Sequence, residues 1–356
     1  MSHLPGKTRR DFLRDAAGIA GAASLSGVAG CFPDVGGKWP QMTEACLDTG
    51  GTPPLTGASR VCEVFCDASV VTKPRYELQA PQVRPMLEAA LGGLAASIPN
   101  LWKQVFPEYG AATRIGLKVN CLNSSCPTSV PLVKALIDVL QETLGVGRDR
   151  ILVWDRRSDE LERCGFTPDA LGGVPVQGTI NSLEDSGGPG YGEPICGAVA
   201  GKTPRLSRIL TDLTDVTINL PVLKTHGVSG VTAAFKNIYG IIDNPADYHD
   251  NLVRTLPVLY ALPPIRNSLR LHILDAFRAI CTGGTSDPPD TVPKMLAASA
   301  DPLALDSYSL ELVNKLRADK NMAKLGPVDS ALTGWLEGSH KLGLGTLAFE
   351  KVQQTL

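Results

Sequence analysis

The stretch Val216-Thr217-Ile218-Asn219-Leu220-Pro221-Val222-Leu223-Lys224-Thr225-His226-Gly227-Val228-Ser229-Gly230-Val231-Thr232-Ala233-Ala234-Phe235-Lys236-Asn237-Ile238-Tyr239-Gly240 decides how the chain is read. Its opening is β-branched and apolar and closes on proline, which predicts a buried strand ending at Leu220. Its last part has small and apolar residues at helical spacing, which would set Thr232 and Lys236 one turn apart on one helix face. Between them the pattern predicts a loop holding Lys224, His226, Gly227 and Gly230, where glycine lets backbone approach a ligand. In an open α/β sheet, ligands bind beyond the carboxyl ends of the strands, where this loop would lie. A turn with a solvated lysine and a backbone-satisfied histidine would use the same residues. The crowding of Lys224, His226 and Lys236 in otherwise apolar chain favours a site.

Outward from this stretch, residues 60–66, 114–120, 150–154, 269–274 and 293–299 read as strands. Residues 82–96, 130–144, 302–316 and 330–336 read as helices, and 252–262 as a short helix broken at Pro257. Strand, helix and strand over 114–154 form a βαβ unit, which implies parallel pairing. Residues 172–204 are rich in Gly and Pro and poorly periodic. The expected fold is α/β: a mainly parallel sheet flanked by helices, with an irregular Gly/Pro-rich insertion.

Of 356 residues, 43% are apolar and 20% charged, a globular composition, and the formal net charge of −2 gives no electrostatic pull toward nucleic acid. Aromatic residues, at 5%, are too sparse for a base-stacking platform. Nucleic acid is therefore set aside as a partner.

The N-terminus reads as an address. Thr8-Arg9-Arg10-Asp11-Phe12-Leu13-Arg14 resembles a twin-arginine export signal, with Arg9 and Arg10 as its paired arginines. A small-residue run from Ala16 leads to Val28-Ala29-Gly30-Cys31, which resembles a bacterial lipobox; Cys31 would carry the lipid, although an ordinary signal-peptidase site fits the same place. This implies residues 1–31 as signal peptide, 32–59 as tether and 60–356 as a single α/β domain. The twin-arginine (Tat) translocase would be a partner, and the membrane would be met only through the lipid anchor. That route carries folded proteins, often with a cofactor already inserted.

Nine cysteines are present: Cys31, Cys46, Cys62, Cys66, Cys121, Cys126, Cys164, Cys196 and Cys281. In an oxidising compartment they permit disulfides, and Cys121 and Cys126 flank a tight turn that would let them pair. Neither the closely spaced cysteine run of a ferredoxin nor a paired Cys-x-x-Cys zinc pattern occurs.

Several segments resemble one family. Lys118-Val119-Asn120, Trp154-Asp155-Arg156, Asn219 through His226, Lys236-Asn237 and Ala300-Asp301-Pro302-Leu303-Ala304-Leu305-Asp306 are similar to domain-of-unknown-function family 362. Some members carry ferredoxin-like cysteines, which this chain lacks. A more distant likeness is to the N-terminal domain of nickel-pincer lactate racemases, through His226, Gly230, Lys236 and Gly240-Ile241. That likeness implies a proton- or hydride-handling histidine at 226, a lysine at 236 that holds the cofactor, and a metal-binding histidine for which His249 is the candidate. The metal-containing cofactor so implied would be nickel-pincer-like; the first family admits an iron–sulfur cluster.

The residues also speak without either family. His226 at a strand end is suited to proton shuttling, with Lys224 as its catalytic companion. Lys236 beside an apolar face suits an imine former, a base or an anion anchor. Lys118, Lys224 and Lys236, with Thr232, would make a cationic pocket for a small anionic molecule. Asp275 and Asp301 at strand ends would supply acid/base or metal-ligand oxygens, while helix capping uses the same residue type. His272, inside a strand, reads as core packing and His340 as exposed. Three classes compete: an enzyme moving a proton or hydride next to a carboxylate, an extracytoplasmic binder of an anionic ligand, and an iron–sulfur electron-transfer accessory.

Overall fold

Val216–Asn219 is a strand, as its β-branched pattern predicts, and it lies at the centre of a ten-stranded sheet. The computed structural model describes residues 59–72, 76–195, 199, 201–327 and 330–356. Arg9, Arg10, Cys31, Cys46, Cys196 and nearly all of the tether fall outside the described residues. In chain order the sheet comprises β1 (Arg60–Phe65), β2 (Ile115–Lys118), β3 (Ile151–Arg157), β4 (Val176–Ile180) and β5 (Val216–Asn219). It continues with β6 (Val222–His226), β7 (Gly230–Thr232), β8 (Leu269–Ile280), β9 (Met295–Ser299) and β10 (Glu350–Thr355). The helices are α1 (Ala80–Leu94), α2 (Ile98–Val105), α3 (Val130–Leu144), α4 (Ser158–Arg163), α5 (Leu252–Ala261), α6 (Pro263–Ser268), α7 (Pro302–Asp319) and α8 (Trp335–Lys341).

The strands lie in the order β10-β1-β9-β8-β5-β2-β3-β4, with β6 and β7 branching from β8. Every pairing on that path is parallel except those made by β9. The fold is α/β with a mostly parallel sheet. Alternation along the strands loads both faces. Leu117, Ile218 and Ile273 pack on one side with Val83, Leu87 and Leu136 of α1 and α3. On the other side Trp154, Leu223 and Leu274 join Phe235, Tyr260 and Trp335. The Phe235 ring stacks on Tyr260 at 4.0 Å and lies 5.5 Å from Trp335.

The deciding stretch departs from expectation after Pro221. Proline has no N–H for the ladder, so pairing to β2 stops there. The Pro221 carbonyl instead accepts from Asp275 N at 2.9 Å, and the chain resumes as β6, with Val222 opposite Asp275 and Lys224 opposite Ile280. β8 therefore runs to Ile280, beyond the expected end at Leu274. The lysine–histidine segment is thus not a loop but one arm of a hairpin, pairing Lys224 with Thr232 and His226 with Gly230. Gly230 takes φ +73, and a Cβ there would fall 2.7 Å from the Thr333 methyl carbon, so the turn requires glycine. With Thr232 in a strand, it does not share a helix face with Lys236, which opens a short 3₁₀ helix, Lys236–Gly240.

Other departures are local. α5 runs through Pro257 without breaking. The Gly/Pro-rich region contains β4, which extends the main sheet beside β3. It also contains Tyr191–Pro194, paired with Arg205–Ser207 in a separate ribbon. Cys121 and Cys126 are both free thiols. They are directed apart: Cys126 packs with Val222 and Ile280, whereas Cys121 meets Cys164.

Candidate functional site

The carboxyl ends of β2, β3 and β5 bring Lys118, Asp155 and Asn219 to one edge of the sheet, and the β6–β7 hairpin projects beside them. Lys118 Nζ donates to Asp155 Oδ1 at 2.7 Å and to the Val119 carbonyl at 2.8 Å, with the lysine side chain only 1% exposed. The amine sits 5.6 Å from the centre of the Trp154 ring. Gly240 closes over this pair: a Cβ at 240 would fall 2.6 Å from Asp155 Oδ1 and 2.7 Å from Lys118 Nζ. Asp155 accepts further from Cys121 N and Arg156 N, each at 2.7 Å. Lys118 is therefore neutralised inside the structure and leaves the cationic pocket that its sequence position suggested.

Lys224 is also buried, at 2% exposure, and donates to Asn120 Oδ1 at 2.8 Å. From there a run of side-chain amides crosses the sheet edge. Asn120 Nδ2 donates to Asn237 Oδ1 at 3.0 Å, Asn237 Nδ2 to Asn219 Oδ1 at 2.7 Å, and Asn219 Nδ2 to the Ala234 carbonyl at 3.0 Å. Asn219 Nδ2 also lies 3.2 Å from His272 Nδ1. With Nδ1 accepting, the His272 proton rests on Nε2, which has no partner among the described residues; full burial lowers this histidine's pKa to about 3. Thr232 Oγ1 donates to the Lys224 carbonyl at 3.0 Å and ties the hairpin. These amides are site residues that a search for charged groups misses, yet each lies within a quoted family motif.

The reactive groups gather one step further along. His226 Nδ1 accepts from Val228 N at 3.0 Å and Ser229 N at 3.2 Å, so the neutral ring carries its proton on Nε2. Burial first, then the charges of Lys236 and His249, push its pKa down to about 3. At neutral pH His226 is a hydrogen-bond donor rather than a base. Its ring stacks on His249 with centres 5.6 Å apart. His249 Nδ1 is 2.8 Å from the Pro245 carbonyl and donates to it, so its Nε2 lone pair faces Lys236 Nζ at 3.1 Å.

Lys236 Nζ also stands 3.2 Å from the centre of the Tyr239 ring. An aromatic face attracts a cation by about 2 kcal/mol when desolvated, roughly 1.5 pKa units. Burial of a lysine works the other way by up to about 3–5 units. Burial prevails, and it holds the Lys236 amine well below the ordinary lysine range. No carboxylate forms an ion pair with Lys236 among the described residues.

The acidic candidates serve the fold. Asp275 accepts from Ser129 N at 2.8 Å, at the start of α3, and from Phe277 N at 3.2 Å. Asp301 caps α7 through Leu303 N at 2.8 Å and Ala304 N at 3.0 Å, and also accepts from Thr346 N at 2.9 Å. Neither carboxylate joins His249, whose Nε2 is turned to Lys236. Among the described residues no group of three His, Cys, Asp or Glu side chains is arranged to hold a metal ion. The metal set His249, Asp275 and Asp301 is therefore not assembled, and among the described residues no set of cysteines is gathered to hold an iron–sulfur cluster. A carboxylate that sequence reading passed over does matter: Asp306, fully buried, accepts from Ala234 N at 2.6 Å and Phe235 N at 3.0 Å, just before Lys236.

A cavity of about 260 Å³ lies elsewhere, between α4 and β4, lined by Leu161, Glu162, Phe166 and Gln177 among others; it includes none of the lysine–histidine group.

Fold and site together define a class: a mostly parallel α/β domain with buried lysines and histidines gathered at the carboxyl edge of its sheet. The chain belongs to the family defined by the domain of unknown function DUF362, whose model matches residues 115–311. The match begins with β2, ends inside α7, and takes in every site residue described above. None of the curated proteins compared with the chain matches it.

Proposed function

We propose that this protein is an enzyme that moves a proton at a carbon next to the carboxylate of a small molecule. The observation that carries the reading is the pairing of a desolvated Lys236 amine with a neutral His226 whose free edge is an N–H. A neutral amine is a base of useful strength near neutral pH, and a neutral imidazole donor polarises a carbonyl or carboxylate oxygen as charge develops on it. In this reading Lys236 takes the proton from carbon and His226 Nε2–H steadies the oxygen. His249, fixed by Pro245, receives one Lys236 N–H and so aims the amine lone pair elsewhere. Lys224 supplies the positive charge that draws the substrate carboxylate.

The test is exchange of the α-hydrogen for deuterium, followed by NMR in heavy water over a panel of 2-hydroxy, 2-oxo and 2-amino acids. Exchange above the uncatalysed rate is expected for at least one compound. Lys236→Met should lower it by about 10²–10⁴-fold, the usual worth of a positioned base, and His226→Phe should also lower it with ligand binding retained. Binding of a panel member without exchange would leave an anion-binding protein and end the enzymatic reading.

The export reading stands beside this one. The protein is proposed to leave the cytoplasm by the twin-arginine route and to be held at the membrane by a lipid on Cys31. Changing Arg9 and Arg10 to lysine should leave full-length precursor in the cytoplasm by fractionation. Normal export of that variant would refute the address.

A further inference from the structure

Beside the lysine–histidine group, and unused by it, are two thiols that sequence reading did not connect. Cys121 follows Asn120 directly after β2, and Cys164 caps the end of α4, 43 residues further on. As a thiol, Cys164 donates to the Cys121 carbonyl at 3.5 Å. Both are reduced. Cys121 is held in place from behind, since its backbone N–H is fixed by Asp155.

We propose that Cys121 and Cys164 form a redox-active dithiol whose co-substrate is a disulfide, with Cys164 as the attacking thiol and Cys121 as the resolving one.

The asymmetry of the pair assigns these parts. Cys121 is 1% exposed whereas Cys164 is half-buried, so only the latter meets a co-substrate. The neighbouring Cys121 thiol lowers the pKa of the Cys164 thiol against the opposing effect of burial, while burial raises that of Cys121. Of the two, the accessible sulfur therefore gives up its proton more readily. Asp155 and Glu160 oppose a thiolate at Cys164, and Lys224 favours it. The exchange balances without a metal or a free oxidant. The Cys164 thiolate attacks one sulfur of the disulfide and forms a mixed disulfide, and the other half leaves as thiolate. Cys121 then attacks Cys164 Sγ, the second half leaves, and the Cys121 proton departs with it. The co-substrate is reduced to two thiols, and the protein gains one disulfide.

Oxidised glutathione, added to the folded full-length protein, is the probe, with peptide mapping of every cysteine by mass spectrometry. The expected result is a Cys121–Cys164 linkage and no glutathione retained on either residue. Cys164 should react at least about tenfold faster than Cys126, whose thiol burial pushes up to about 11. Cys121→Ser should trap glutathione on Cys164, and Cys164→Ser should leave Cys121 unmodified. Should Cys121→Ser fail to fold, the wild-type map decides alone. Glutathione persisting on Cys164 in the wild type, a link from Cys164 to another cysteine, or reaction of Cys164 no faster than that of Cys126 would each overturn the proposal.

Discussion

Replacing Asp155 by alanine should destabilise the folded protein by about 3–5 kcal/mol, the cost of leaving a buried charge without its partner. The Lys118 ammonium is 1% exposed and Asp155 is its one carboxylate contact among the described residues, so none of these takes over when that contact is removed. The same change strips the acceptor from Cys121 N and Arg156 N. Exposed pairs behave differently: Arg84 with Glu142, at 39% and 55% exposure, is screened by water and should contribute little. The double replacement Lys118→Met with Asp155→Leu should recover part of the loss, because it removes the unpaired charge but still leaves Cys121 N and Arg156 N without their acceptor. Urea denaturation read by circular dichroism checks both variants. A loss below about 1 kcal/mol in Asp155→Ala would mean that water or another group reaches Lys118.

This pair also marks where sequence reading stops. The framework was legible because it is written in local patterns: the β-branched run of β5, the apolar stripe of α3, the alternation that begins β8. The position of Lys118 at the carboxyl end of β2 followed from those elements. The electrostatic state of the lysines did not follow. It depends on partners far along the chain: Asp155 lies 37 residues from Lys118, and Asn120 104 residues from Lys224. What looked like three solvent-facing cations is one neutralised amine, one held by an amide and one desolvated. The hairpin was missed for a related reason. Lys-Thr-His-Gly has the composition of a loop, and only the extension of β8 to Ile280 offers β6 an edge to pair with. Thr225, on the strand face opposite Lys224 and His226, confirms the alternation by donating to the Gly283 carbonyl at 2.6 Å. β4 was hidden by Gly178, whose missing Cβ would fall 2.2 Å from Ser158 N.

Asp306 should carry the second large effect, and its size depends on pH. Burial raises its pKa from 3.8 to about 8, outweighing the hydrogen bonds from Ala234 N and Phe235 N that favour the carboxylate. Between those values the native state holds a proton that the unfolded chain has released. The unfolded state therefore binds fewer protons, and stability falls as pH rises. This contribution is complete below about pH 4, declines through the neutral range and is gone above about pH 8. Asp306→Ala lacks it and also leaves the Ala234 and Phe235 N–H groups buried without an acceptor, at about 1–3 kcal/mol each. The variant should accordingly be less stable than the wild type by several kcal/mol near pH 5, with the gap narrowing toward pH 8. Denaturant titrations of both proteins across that range decide it; a gap that is constant or widens would mean the carboxyl is ionised throughout. Because those two N–H groups precede Lys236, loss of their acceptor should also loosen the turn that aims the amine. Deuterium exchange should then fall more steeply than stability alone explains, even under conditions where the variant is fully folded.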